Sequence, residues 1–259
     1  MEVNRIYNQD CIEWMQAAEP HSVDVILTSP PYNTSRRGSS LTGACANVRY
    51  DEYNDRKSDE EYIDWTLRIF EGFDRVLVKD GCVLYNLSYS AENTWLMWNV
   101  VSEIQRKTNF IVADCLVWKK TTTSPNSCSP NKLTRICEFV FVFCRKSEFA
   151  TFKTNKKVTT HRASGQANYE NIFNLIEAPN NDGSNDIHKA TFSTVLCRRL
   201  LAIYARGGVI VYDPFMGTGT TAIACIKDKY QYVGTEISKR YCDYAQQRID
   251  LEQMQLTLF

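Results

Sequence analysis

Two short stretches hold the residue types that could do chemistry. The first is Thr28-Ser29-Pro30-Pro31-Tyr32, which follows the apolar run Val25-Ile26-Leu27. Two consecutive prolines fix φ and remove two backbone donors, so the segment is stiff and poor in N–H groups. Standing alone it also reads as a rigid turn after a strand. The second is Asp213-Pro214-Phe215-Met216-Gly217-Thr218-Gly219-Thr220-Thr221-Ala222, whose last six residues fit the fingerprint G-x-G-x-x-A. Gly217 and Gly219 allow a tight turn and close approach of a ligand to the backbone. Glu236 lies 17 residues beyond Gly219, at the end of the next apolar run. An acid there can accept hydrogen bonds from both hydroxyls of a ribose, so the pair of features implies an adenosine-containing cofactor.

These stretches need strands to end them and helices to follow. Strand-like runs occupy 5–10, 23–30, 81–88, 111–120, 135–146, 208–215 and 230–238, and the two long runs at 111–120 and 135–146 suit a pair. Helical signal occupies 11–18, 58–77, 91–107, 193–205 and about 240–253. Over 58–77 the apolar residues Tyr62, Trp65, Ile69, Phe73 and Val76 recur near the 3.6 period. Ser58 and Glu61 form a capping box at its start. Strands alternating with helices predict an α/β fold with a doubly wound, mainly parallel sheet. Continuous apolar runs such as Val209-Ile210-Val211-Tyr212 suit strands covered on both faces. Residues 33–57 and 147–187 are polar and carry no clear period.

Together the two motifs resemble the catalytic and S-adenosylmethionine motifs of the DNA amino-methyltransferases, which modify N4 of cytosine or N6 of adenine. The catalytic motif comes first, as in the beta group of that family. The resemblance implies a seven-stranded Rossmann-like methyltransferase sheet with an inserted target-recognition segment. Residues 1–146 would be its catalytic half, 147–187 the target-recognition segment and 188–259 its cofactor-binding half. The family flips its target base out of the stack. Ser29 Oγ and the Pro30 carbonyl would then hold the amine, Pro31 would stiffen the loop, and Tyr32 would stack on the base. The methyl group would pass in line from S-adenosylmethionine, with positioning supplying much of the catalysis.

By the same resemblance the cofactor contacts would be Asp10 and Cys11 in Tyr-Asn-Gln-Asp-Cys, Ser29, His188, Thr191 and Phe192 in His-Lys-Ala-Thr-Phe, and Asp213, Pro214, Phe215, Gly217, Gly219, Thr220 and Glu236. The 188–193 segment departs from the family pattern: Lys189 and Ser193 stand where prolines are usual. Plainer roles exist for some of these residues. Asp10 can cap the helix at 11–18, His188 can be a loop histidine, and Phe215 can be core.

The formal net charge is zero, so attraction to nucleic acid must come from local patches. From Lys119 to Arg162 there are ten Lys and Arg against Glu138 and Glu148, a net of +8. Lys119, Lys132, Lys156 and Lys157 from this stretch, with Arg36 and Arg37 beyond the catalytic loop, are the candidates to grip the phosphates of double-stranded DNA. A homodimer and a companion restriction endonuclease are further partners the resemblance admits. The ten cysteines form no C-x-x-C pair and sit mostly in apolar runs, which argues for buried reduced thiols and against a metal site. Neither a signal peptide nor a span of ~20 apolar residues is visible, so the expectation is a soluble, cytoplasmic protein.

Ser29 and the spacing of His188 and Phe192 tilt the target toward cytosine N4, with adenine N6 the alternative. Methyltransferases of RNA or of protein glutamine normally carry the glycine loop first. A nicotinamide oxidoreductase leaves Thr28–Tyr32 unexplained, and an idle DNA-binding module leaves its intactness unexplained.

Overall fold

The computed structural model describes residues 1–33, 57–90, 93–122, 133–182 and 193–257. In chain order they form β1 (Arg5–Tyr7), α1 (Cys11–Ala17), β2 (Val23–Thr28), α2 (Asp59–Val76), β3 (Leu77–Leu87), α3 (Leu96–Lys107), β4 (Phe110–Lys120), β5 (Cys137–Arg145), β6 (Val158–His161), β7 (Ala167–Tyr169), β8 (Leu175–Ala178), α4 (Thr194–Tyr204), β9 (Ile210–Asp213), α5 (Thr220–Asp228), β10 (Gln231–Thr235) and α6 (Lys239–Thr257).

Successive strand residues point to opposite faces, and here both faces are covered. Val25 and Leu27 of β2 join Leu84, Val140 and Val142 against α4 and α5, through Leu196, Leu200, Ala222 and Cys225. Ile26 joins Val83, Tyr85, Phe141 and Phe143 against α1, α2 and α3, through Trp14, Phe70, Phe73 and Ile104. That is why β2 and β9 are continuously apolar in sequence. The predicted capping box is present: Ser58 Oγ accepts from the Glu61 N–H at 3.1 Å, and the Ser58 N–H donates to Glu61 Oε2 at 2.8 Å.

The sheet order is β1-β10-β9-β2-β3-β5-β4-β8. The first five strands are parallel, β5 is antiparallel to both β3 and β4, and β8 runs parallel to β4. The expected pairing of the two long strands is β4 with β5. Among the described residues the sheet has eight strands, not seven. The additional one, β8, arises within 147–187, where only Ile176 and Ala178 are buried while Leu175 and Glu177 face out. Two buried residues in a strand of four give too weak an alternation to stand out from loop. The rest of that segment forms a separate two-stranded hairpin, β6 with β7.

Chain direction decides which residues share an end of the sheet. From β9 through α5 the chain moves outward to β10, and from β2 through α2 it moves the other way to β3. The switch point therefore lies between β9 and β2, where open α/β sheets bind ligands beyond the carboxyl ends of the strands. Because β3 and β4 both run antiparallel to β5, the end of β3, the end of β4 and the start of β5 lie at this same edge.

Candidate active site

The two chemical motifs leave adjacent strands at the switch point. β2 pairs with β9 through Val25–Val211 and Ile26–Tyr212, and each strand then breaks into its loop. Asp213 ties the loops together. Its Oδ1 accepts from Thr28 Oγ1 at 2.7 Å and from the Phe215 N–H at 3.0 Å, and its Oδ2 accepts from Thr221 Oγ1 at 2.5 Å. Asp213 is fully buried. Burial lifts its carboxyl to about 6, against the lowering effect of the Thr221, Thr28 and Phe215 hydrogen bonds. Its three donors come from both segments, so the geometry makes it a clasp between the catalytic and glycine loops.

The glycine loop is shaped by backbone that favours glycine. Gly217 has φ +53° and Gly219 has φ +86°. A Cβ on Gly219 would also meet the Ala245 Cβ at 3.0 Å, so the absent side chain lets α6 pack against the start of α5. Thr220 then opens α5 and is buried, as is Pro214. Glu236 reaches back to this loop. Its Oε2 accepts the Gly217 N–H at 2.9 Å and its Oε1 accepts the Ser238 N–H at 2.9 Å. Burial raises its carboxyl to about 6, while the Ser238 and Gly217 N–H groups oppose the rise. Two oxygens thus held from behind fit an acceptor for a diol.

Around this centre, Asp10 caps α1, accepting from the Ile12 N–H at 2.8 Å and the Glu13 N–H at 3.3 Å. The chain beside it is locked to Glu236: the Gln9 N–H donates to the Glu236 carbonyl at 3.1 Å and Asn8 Nδ2 donates to it at 2.9 Å. Cys11 is buried beneath, and desolvation raises its thiol far above the ordinary range. Phe215 is half-buried, with its ring 5.5 Å from that of Trp65 on α2. Asp10, Gly217, Phe215 and Glu236 are thus brought to one region. His188, Thr191 and Phe192 lie outside the described residues.

The catalytic loop is braced from three sides. Tyr62 of α2, buried, donates its hydroxyl to the Pro31 carbonyl at 2.7 Å. Ser29 Oγ and Tyr32 Oη are 2.7 Å apart. Tyr32 Oη donates to Glu138 Oε2 at 3.1 Å, and Asn86 Nδ2 donates both to Tyr32 Oη at 2.5 Å and to Glu138 Oε2 at 2.8 Å. Lys120 Nζ sits 2.5 Å from Glu138 Oε1. Sequence reasoning missed Tyr62, Asn86, Glu138 and Lys120 as site residues. A signal existed for two of them: Asn86 and Glu138 are polar residues inside the apolar runs Val83–Leu87 and Cys137–Phe143, where an unpaired polar group is costly. Lys120 and Tyr62 carried no such mark.

The basic stretch divides in two. Arg145 is bound to Asp74 at 2.6 Å and to the carbonyls of Asp74, Leu77 and Val78. Lys146 caps the Thr108 carbonyl at 2.6 Å, Lys119 pairs with Glu177 at 2.5 Å, and Lys120 pairs with Glu138. Those charges have structural partners. Arg135 donates to the Tyr89 carbonyl, and Arg162 donates to the Asn168 and Gln166 side chains. Lys153, Lys156 and Lys157 remain, in a stretch from 153 to 169 that contains no acid. All four residues of β6 are exposed. This hairpin is rooted at the far end of α4, where the Asn155 N–H donates to the Ile203 carbonyl at 2.7 Å and Phe152 stacks on Tyr204. α4 leads from there into the start of β9, so the root lies at the edge of the sheet opposite the catalytic loop. Arg36, Arg37 and Lys132 lie outside the described residues. Among the described residues, no helix is long and apolar enough to cross a membrane.

Comparison with known proteins agrees with this geometry. The chain is 25% identical over 280 residues to the type II methyltransferase M.Cfr9I of Citrobacter freundii, spanning 95% of this chain and 88% of that one. It is 28% identical over 260 residues to the orphan methyltransferase M.BamHII of Bacillus amyloliquefaciens, spanning 88% and 89%. Its fold is similar to that of PvuII DNA methyltransferase, described as cytosine-N4-specific, with TM-score 0.70 and 18% identity over 95% of this chain and 86% of that one. It is also similar to M1.HpyAVI in complex with S-adenosylmethionine, with TM-score 0.61 and 22% identity over 94% and 98%. A family model described as DNA methylase matches residues 23–247, a span that takes in both the Thr28–Tyr32 loop and the glycine loop, and the chain belongs to that N6/N4 DNA methylase family.

Proposed function

We propose that this DNA methyltransferase transfers a methyl group from S-adenosylmethionine to the exocyclic amine of a base flipped out of double-stranded DNA, N4 of cytosine in preference to N6 of adenine. The observation that carries the reading is the clasp at the switch point. Thr28–Asp213 fastens the catalytic loop to the glycine loop, so the acceptor for the amine and the cradle for the cofactor are held in one fixed relation. The residues present suit the cofactor: glycines at positive φ, the Glu236 carboxylate for the ribose hydroxyls, and Phe215 as an apolar wall. When bound there, the cofactor supplies an electrophilic sulfonium methyl. The chain's own part is to hold and orient. Ser29 Oγ and the Pro30 carbonyl accept the amine hydrogens, which turns the nitrogen lone pair toward the methyl. Tyr32 flanks the base, and the bond from Tyr62 to the Pro31 carbonyl keeps the loop from yielding.

Cytosine N4 is favoured by Ser29 at the first position of the motif and supported by the likeness to a cytosine-N4-specific fold. Lys156 and Lys157, just before the exposed strand β6, are the phosphate-contacting candidates of the 147–187 segment; Arg36 and Arg37 follow the catalytic loop in sequence, Lys119 lies at the end of β4, and Lys132 belongs to the same basic stretch of sequence. The test is transfer of labelled methyl from S-adenosylmethionine to mixed-sequence duplex DNA, followed by digestion to nucleosides and chromatography. Label in N4-methylcytosine is expected. Label in N6-methyladenine overturns the base assignment, and label only in RNA or protein overturns the substrate.

A further inference from the structure

Behind the catalytic loop stands a polar chain that the amine-binding role of Ser29 leaves unexplained. Ser29, Tyr32, Asn86, Glu138 and Lys120 are joined in sequence, each within hydrogen-bonding reach of the next. They come from the β2 loop, the end of β3, the start of β5 and the end of β4. Glu138 and Lys120 keep only 13% and 16% of their side-chain surface exposed, and Asn86 keeps 1%. Burying an ion pair this far is costly unless its geometry is good and further hydrogen bonds hold the charges, as Tyr32 and Asn86 do for Glu138.

The donors and acceptors of this chain admit one direction. The Glu138 carboxylate, paired with Lys120, has no proton to give. Tyr32 therefore spends its single hydroxyl proton on Glu138 Oε2. The Asn86 amide must present its NH2 to Glu138, because the flipped amide would set an oxygen 2.8 Å from the carboxylate. That orientation leaves Asn86 Oδ1 buried with no hydrogen-bond partner among the described residues, a cost the network accepts. The same NH2 group donates to Tyr32 Oη. Since the Tyr32 proton is committed, the 2.7 Å contact with Ser29 must be Ser29 donating to Tyr32. Asn86 Nδ2 makes a long contact to one lone pair of Ser29 Oγ at 3.4 Å, and the other lone pair is left for the amine.

We propose that Glu138 is the positioning residue of the methyl-transfer site and the terminal acceptor of the proton that the amine releases, acting through the Tyr32 and Ser29 hydroxyls. This rests on the amine-methylation reading above. The amine nitrogen bonds to the methyl carbon as the carbon–sulfur bond breaks, and is left with one proton in excess. That proton moves to Ser29 Oγ, the Ser29 proton moves to Tyr32 Oη, and the Tyr32 proton moves to Glu138 Oε2. Glu138 ends as a neutral acid beside Lys120 and returns its proton to water through its exposed fraction. Charge balances: the sulfonium loses its positive charge as the carboxylate loses its negative one.

The test is single-turnover methyl transfer to duplex DNA by the wild-type chain, Glu138→Gln, Tyr32→Phe and the double variant, each across pH, with cofactor and DNA affinities measured alongside. Glu138→Gln should slow transfer by about 100-fold, the lower range for general acid–base catalysis, with both affinities unchanged. If the relay carries the proton, wild type should slow toward acid pH and Glu138→Gln should not. The double variant should be no slower than either single one, because both break one relay. Carbon NMR of ring-labelled tyrosine, with the Tyr32 signal assigned by its absence in Tyr32→Phe, gives a readout free of turnover: the Tyr32 phenol should ionise at lower pH once the Glu138 charge is gone. A Glu138→Gln rate within twofold of wild type, a slow variant that keeps the wild-type pH profile, or multiplicative losses in the double variant each overturn the proposal. Should Glu138→Gln fail to bind cofactor, Tyr32→Phe decides by whether its pH profile flattens. Wild type that labels no DNA at all overturns the amine-methylation reading itself, and this inference with it.

Discussion

The catalytic edge of the sheet and the β6–β7 hairpin treat polar residues in opposite ways. At the edge, Asp213, Glu236 and Glu138 are buried or nearly so, and each carboxylate is held by two or more protein donors. In the hairpin, every β6 side chain is exposed, and its hydrogen bonds are a surface ladder such as Asn168 Nδ2 to Thr160 Oγ1 at 2.9 Å. Buried polar groups that are fully paired set geometry. Exposed ones leave their charge available to a partner in solution, screened but unspent. The first region is built to fix atoms, and the second leaves its polar surface to solvent.

The contrast can be broken first at its strongest point. Tyr32→Ala removes a ring, a hydroxyl and the link from Ser29 to Glu138 together. Methyl transfer should fall by at least ~100-fold through lost positioning, while calorimetric cofactor affinity stays within about twofold of wild type, because Glu236 and the glycine loop are untouched. A loss of cofactor binding of similar size would show that the two loops are one cooperative unit.

Asp213→Ala attacks the clasp. It leaves the buried Thr28 and Thr221 hydroxyls without their acceptor, at a cost of about 3 kcal/mol. For a chain of this size that is a fall in Tm of roughly 6–12 °C, readable by thermal unfolding. A fall under 2 °C would mean that the loops do not depend on the clasp.

Glu236 sharpens the comparison through pH. Its carboxyl sits at about 6, above the ordinary 4.5, because burial disfavours the charge. A raised carboxylate contributes stability to the free protein that is fully present below about 4.5 and is lost as pH rises through about 6. Cofactor binding carries the opposite sign, since only the ionised group offers both oxygens as acceptors. Affinity for S-adenosylmethionine should therefore weaken as pH falls through 6. Glu236→Gln should bind more weakly at pH 7, by about tenfold for one charged hydrogen-bond acceptor, and should lose that pH dependence. A wild-type affinity that is flat between pH 5 and 7 would remove Glu236 from the ribose site.

The smallest expected effect belongs to the hairpin. Replacing Lys156 and Lys157 by alanine should weaken DNA binding evenly across sequences and reduce the slope of log affinity against log salt by about 1–2. The single-turnover rate at saturating DNA should stay unchanged. An unaltered slope would mean that the ribbon, rooted at the edge away from the catalytic loop, does not touch DNA, and the salt-dependent contacts would then belong to the loops beside Lys119.

Much of the fold was legible. The capping box at Ser58 and Glu61, the pairing of the two long strands at 111–120 and 135–146 and the doubly wound order follow from period and spacing, which are local properties. Strand β8 was not legible, because its two buried side chains owe their burial to β4 and α4 rather than to any pattern of their own. The net of +8 was visible in sequence, but its meaning was not. Arg145 and Lys146 are spent on Asp74 and backbone carbonyls, and only the tertiary structure says which charges are already answered.

The sequence by itself determined the two motifs: Ser29 to Tyr32 as a stiff loop poor in backbone donors, Gly217 to Thr221 as a glycine turn with Glu236 downstream, and their order along the chain. These are short segments whose covalent make-up limits what they can do, since prolines fix φ and glycines permit positive φ wherever they stand. The tertiary structure decided how the two loops are joined and what stands behind them. Thr28 meets Asp213 across 185 residues, and Glu138 meets Tyr32 across 106. Such contacts leave no period and no spacing in the chain, because they are set by which strands lie side by side and by where each one ends.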